Sequence, residues 1–161
     1  MLDGGLATQI EAQGCDIGNA LWSASLLLDD PQAIVDGNRA FLEAGAECIA
    51  TASYQASREG LAERGLSADE ADRLMLRSVE LAIQARDEYL AAHPDVAFVP
   101  LVAASIGPYG AMLHDGSEYR GDYKVAAETL RAFQVYRHRL GSGPENDSLV
   151  YQEDDETFAL R

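Results

Sequence analysis

Basic residues are scarce in this chain. Twelve Lys and Arg stand against 27 Asp and Glu, a formal net charge of −15. A surface of that sign repels phosphate backbones and anionic lipid, which argues against nucleic-acid and membrane-surface partners. Cysteine is scarce too. Cys15 and Cys48 are too few for a disulfide-stapled secreted scaffold, and Cys48 falls in an apolar run where a buried free thiol is the usual case. No run of about 18 apolar residues occurs, so no membrane span is expected. The opening MLDGGLAT has neither a basic segment nor an apolar signal core, which makes a cytoplasmic location the default expectation. His93, His114 and His138 lack metal-ligand spacing. Neither Asp3-Gly4-Gly5 nor Gly107-Pro108-Tyr109-Gly110 fits a dinucleotide fingerprint or a P-loop, so a nucleotide-binding half-domain is a weak reading.

What is present points to an α/β fold. Apolar residues make up 47% of the 161, enough for one globular body with a core. Ala46 to Gln55, AECIATASYQ, is an uncharged run of the kind found in parallel strands covered on both faces. Thr51, Ser53, Tyr54 and Gln55 fall at or past its C-terminal end, where α/β folds place their chemistry. Met1 to Gly5 repeats the pattern as a shortened strand ending in Asp3-Gly4-Gly5. Val96 to Gly107 repeats it again, ending in Ser105 and a Gly-Pro-Tyr-Gly turn. Pro100 inside that run donates no ladder hydrogen bond, so a true strand start near Leu101 is expected.

Helical patterns lie between these runs. Leu6 to Gln13 predicts a short helix closed by Gly14. Cys15 to Leu28, with Trp22 as a packing anchor, has no clear pattern. Asp30-Pro31 is an N-cap followed by proline at the first helical position, and Ile34, Asn38, Phe41 and Leu42 share a face up to the stop at Gly45. Ala56 to Gly65 reads as a polar loop. Ser67 and Glu70 form a capping box for a long helix running to about Ala92, with Ala71, Leu74, Ser78, Leu81, Ala85 and Tyr89 on one side. Pro108 to Asp122 reads as a long loop, and Tyr123 to Leu140 as a helix. Gly141 to Arg161 then holds six acidic residues and one basic, a tail expected to be disordered. The chain therefore divides into residues 1–140 and an acidic stretch, 141–161.

Five segments carry a family resemblance: LDGGLAT (Leu2 to Thr8), GCDI (Gly14 to Ile17), LWSA (Leu21 to Ala24), AGAECIATASYQAS (Ala44 to Ser57) and SIGPYGAMLHDGSEYRGDY (Ser105 to Tyr123). Together, in this order, they resemble the homocysteine S-methyltransferases, over roughly Met1 to Leu140. The resemblance implies a partial (β/α)8 TIM-type barrel, of which the first three βα units are present here. It implies transfer of a methyl group from S-methylmethionine or S-adenosylmethionine to the homocysteine thiolate, giving methionine. In the full-length family a zinc ion held by three cysteines binds that thiol. Neither Cys15 nor Cys48 matches a ligand position, so no cofactor is expected in this chain. The resemblance also implies a substrate-binding rim. Asp3 matches the carboxylate that contacts the homocysteine ammonium, and Gly4 and Gly5 form the turn beside it. Ser53 falls near the substrate carboxylate, with Thr51 and Tyr54 as neighbours. Ser105 and Tyr109, with Gly107, face the methyl donor.

With three strands of eight, the chain is expected to be truncated and inactive alone. Its open sheet edges predict edge-to-edge self-association. The alternative is a non-catalytic α/β binding or assembly module derived from the same family.

Overall fold

The computed structural model describes residues 1–15, 25–107, 109–112, 134–137 and 148–152. They fall into two compact units, Met1–Gly121 and Asp122–Arg161.

The first unit is built on a parallel pair, β1 (Cys48–Ala50) and β2 (Leu101–Ala103), with Cys48, Ile49 and Ala50 opposite Leu101, Val102 and Ala103. Leu2 makes a single parallel bridge to Cys48 on the other side of β1. The three apolar runs thus adjoin in chain order, and the α/β expectation holds. β2 starts at Leu101, directly after the buried Pro100, as the missing proline donor requires.

Helices α1 (Leu6–Ala12), α2 (Leu26–Asp29), α3 (Pro31–Glu43), α4 (Arg58–Ala62) and α5 (Ala68–Ala92) complete its frame, followed by the short α6 (Tyr109–Met112). The Asp30 side chain accepts from the Ala33 N–H at the start of α3, with Pro31 at its first position. Gly45 at φ +93° ends it. The Gly45 N–H donates to the Leu42 carbonyl and the Ala46 N–H to the Phe41 carbonyl, both at 2.9 Å, a pairing that needs a left-handed residue at Gly45. That turn delivers the chain straight into β1. The Ser67–Glu70 capping box opens α5, which runs 25 residues to Ala92. The polar loop expected over Ala56 to Gly65 is instead α4, whose Ser57 cap accepts from the Gly60 N–H. Its buried Leu61 supplies the apolar contact that so polar a stretch conceals.

The core lies between the helices and one side of the sheet. Ile34, Val35 and Leu42 of α3 meet Leu81, Ala82 and Ala85 of α5 over Ile49 of β1, joined by Ile10 and Leu61. Gly37 lets α1 approach α3, since a Cβ there would stand 3.1 Å from Leu6 and Ile10. Asn38 is also buried, and its amide has no partner among the described residues.

In the second unit, β3 (Gln134–Arg137) pairs antiparallel with β4 (Ser148–Gln152), with a register shift between Val135 and Tyr136. Two expectations are corrected here. Gln134–Arg137 is a strand rather than part of a helix from Tyr123 to Leu140. Ser148–Gln152, inside the stretch expected to be disordered, is its partner. Val135 and Tyr136, and Leu149, Val150 and Tyr151, are β-formers, and pairing them outweighs the acidic composition around them. The rest of both segments lies outside the described residues, as do Trp22, LWSA, the Asp16-Ile17 half of GCDI, His114 and His138.

Candidate functional site

The last rung of the parallel pair is the Thr51 N–H donating to the Ala103 carbonyl at 3.0 Å. Beyond it, side-chain hydroxyls take over. The Ser105 N–H donates to Thr51 Oγ1 at 2.9 Å, Ser53 Oγ donates to the Ser105 carbonyl at 2.8 Å, and the two hydroxyl oxygens are 2.6 Å apart. Proton counting fixes the direction of the ring. A carbonyl only accepts, so the single Ser53 proton goes to Ser105, and Thr51 must donate to Ser53. Both hydroxyl protons are then committed, and each oxygen offers a ligand acceptor capacity only.

Asp3 is fastened to β1 from the other side. Its N–H donates to the Cys48 carbonyl at 2.9 Å, and its Oδ2 accepts from the Ala50 N–H at 2.6 Å. The chain then turns through Gly4, where a Cβ would come within 3.0 Å of the Phe41 ring, and Gly5, the N-cap of α1.

Two clefts open at these strand ends. One, of about 270 Å³, is lined by Gly4, Gly5, Thr51, Tyr54, Gln55 and Ser105 among others. The second, of about 380 Å³, lies between the strand ends and α5 and includes Ser53 and Gly107 in its lining. Tyr54, Gln55 and Ser105 line both. Gly107 closes the second cleft against the backbone, since a Cβ there would fall 2.1 Å from the Tyr54 carbonyl oxygen.

Five of the eight residues expected from the sequence therefore line the first cleft: Gly4, Gly5, Thr51, Tyr54 and Ser105. Ser53 lines the second. Asp3 lines neither; it braces Ala50, which does line the first. Tyr109 opens α6, two residues past Gly107. The sequence reading omitted Gln55 from the site. Only its place directly after the Thr-Ala-Ser-Tyr run pointed to it.

The shifted titrations lie elsewhere, on α4 and α5. Hydrogen bonds from Ser67 hold the Glu70 carboxyl below its ordinary range, and the hydrogen bond from Arg58 does the same for Asp72. Among the described residues no three His, Cys, Asp or Glu gather as a metal-ligand set, and Cys15 and Cys48 are free thiols. These residues do not fit the zinc that the resemblance implies for the full-length family, and no chemical step is routed through it.

The comparisons with known proteins bear on this site. The family model for homocysteine S-methyltransferase matches residues 1–151. The chain belongs to the homocysteine S-methyltransferase family. It is 49% identical over 133 residues to the Escherichia coli homocysteine S-methyltransferase, covering 83% of this chain and 43% of that protein. It is 47% identical over 144 residues to homocysteine S-methyltransferase 2 of Zea mays, covering 87% of this chain and 42% of that one. The crystal structure of the Escherichia coli homocysteine methyltransferase MmuM in its metallated form superposes with a TM-score of 0.72 at 50% identity, over 79% of this chain and 44% of that one. The chain thus spans less than half the length of these family members.

Proposed function

We propose that this chain supplies the amino-acid-binding rim of a homocysteine S-methyltransferase barrel, as its first three βα units. In the reaction we infer, the homocysteine thiolate attacks the methyl carbon of a sulfonium donor, S-methylmethionine or S-adenosylmethionine. The new S–CH3 bond forms as the old one breaks, and its electron pair returns to the donor sulfur, leaving a neutral thioether and methionine. What this chain's residues contribute is placement. The Gly4-Gly5 turn lets backbone approach the substrate, the Thr51–Ser53–Ser105 ring fixes the strand ends, and the paired clefts give two substrates adjoining places. The observation that carries the reading is the convergence of five residues, from three separate family motifs, on one cleft at the strand ends.

A second reading, a non-catalytic binding or assembly module, is favoured by the apolar side of the sheet. Leu2 and Leu101 flank Cys48 there and are 66% and 68% exposed. Calorimetry of the purified chain with homocysteine, beside an assay for methionine formation with each sulfonium donor and added zinc, tests both. We expect homocysteine binding without turnover. Turnover with stoichiometric zinc overturns the inactivity of the isolated chain. Absence of homocysteine binding overturns the rim reading.

A further inference from the structure

Parallel sheets are covered on both faces and guarded at their edges. One side of the β1–β2 pair meets neither condition. Leu2, Cys48 and Leu101 form a row across the sheet, and alternation puts Ala50 and Ala103 in the next row on the same face. Leu2 and Leu101 are mostly exposed, and so is Val99 just before the strand. The face steps from bulky side chains at the strand starts to small ones at the strand ends, a relief that apolar side chains from another layer can fill. Both edges are open as well. The Leu101 N–H and the Ala103 carbonyl bond to the backbone of Glu47 and Thr51, so Val102 turns its own N–H and carbonyl outward. On the other flank the Met1 carbonyl and the Asp3 N–H bond to Cys48, which turns Leu2 outward. Among the described residues no further strand joins either edge.

An occupant must therefore bring strands to the edges and apolar side chains to the face together. A second copy is a poor fit, because each carries a net charge of −15 and apposition brings like fields together. More than half of the Escherichia coli homocysteine methyltransferase chain lies outside the part that superposes on this one. We infer that this side of the sheet is a docking surface for a second polypeptide carrying that remaining portion of a homocysteine S-methyltransferase. Its strands join at Val102 and Leu2 and bury the Leu2–Cys48–Leu101 row. The identity of the partner rests on the rim reading above, which the docking deepens.

The test co-expresses the full chain with the portion of the Escherichia coli enzyme that lies outside the match. A one-to-one complex is expected by sedimentation equilibrium. Iodoacetamide reports on the face itself: alkylation of Cys48 should be suppressed in the complex, while Cys15, which packs against the helix-side core, keeps its rate. Leu101→Asp should weaken the complex at least about tenfold, since it buries an unpaired carboxylate against apolar strands. The melting temperature of that variant alone should hold, because the side chain is mostly in water. Leu101→Met keeps the apolar bulk and should keep the complex.

No complex, a complex that leaves Cys48 reactive, or one that Leu101→Asp joins equally well overturns the docking surface. A chain that dimerises alone with Cys48 protected assigns the face to a second copy and overturns it too. In each case homocysteine binding by the chain, and with it the rim reading, can stand. Loss of homocysteine binding from both chain and complex removes the rim reading instead, and Cys48 protection measures the interface separately.

Discussion

The two sides of the β1–β2 pair are chemically alike and physically opposite. On one side Ile49 is fully buried beneath Leu42 and Leu81, and its partner Val102 packs against the same cluster. On the other, Leu2 and Leu101 stand on either side of Cys48 and are mostly exposed, with Val99 at 64% two residues earlier in the chain. Alternation along a strand sends successive residues to opposite sides, so neither side was chosen by composition. The helices that cover the first side come from the same short stretch of chain, connected by turns. Nothing equivalent among the described residues covers the second. In the barrel proposed above, that second side would face the interior, filled by side chains from strands all around the ring.

The largest expected effects separate these sides directly. Leu81→Ala should cost about 2–5 kcal/mol, because it opens a cavity where α3, α5 and β1 meet. Leu101→Ala should cost under about 0.5 kcal/mol, since its side chain is mostly in water already. Urea unfolding of both variants measures the contrast. Equal costs would mean that Leu101 is covered in solution, and a concentration-dependent elution volume would then identify a second copy as the cover.

The strand ends sharpen the comparison, because they belong to neither side. Gly107→Ala should cost about 1–3 kcal/mol, the scale of overpacking, as the new methyl meets the Tyr54 backbone rather than a side chain that can swing away. Thr51→Val comes next at about 1–2 kcal/mol. It keeps the shape of a buried residue but strips the Ser105 N–H of its acceptor and Ser53 of its donor. Ser53→Ala leaves the Ser105 carbonyl without its donor and the Thr51 hydroxyl without its acceptor, but that hydroxyl can rotate and the Ser105 N–H keeps its partner, so it should cost less than Thr51→Val. The reverse order would mean that the ring is not the unit that holds the strand ends.

Local signals in the sequence were legible wherever they were self-contained. Asp30-Pro31, Gly45, the Ser67–Glu70 box and the late strand start after Pro100 each settle within a few residues, and each stands where the sequence placed it. Segments decided by distant partners were not legible. α4 rests on burying Leu61 under α5, which the polar string around it does not announce. β3 exists because β4 pairs with it, whereas the stretch from Tyr123 to Leu140 read locally as a helix. The site followed the same rule. Glycines and hydroxyls at strand ends are visible in sequence, but that Tyr54, Gln55 and Ser105 line the same clefts depends on strand ends about fifty residues apart coming together.

The smallest effect concerns the outer surface of the helices and is read against pH. Ser67 gives Glu70 two hydrogen bonds, from its N–H at 2.8 Å and its hydroxyl at 2.7 Å, and Arg58 gives Asp72 a bidentate pair at 2.7 Å. Both carboxyls are thereby held below their ordinary range. For an acid of this kind the unfolded chain takes up protons first. The stabilisation is therefore complete above the ordinary carboxylate range and is lost as pH falls through the lower, folded value. Ser67→Ala should remove the hydroxyl's part of the Glu70 share, leaving that of the backbone N–H, and Arg58→Gln should remove the ion-pair share of Asp72. In each, unfolding free energy should fall less steeply on acidification than in wild type, with the two changes adding because the pairs have separate partners. Both pairs are exposed and screened by salt, so the differences should shrink in high salt, whereas the Leu81→Ala cost should not. Wild-type and variant curves that run parallel from neutral to acid pH would show that neither pair contributes.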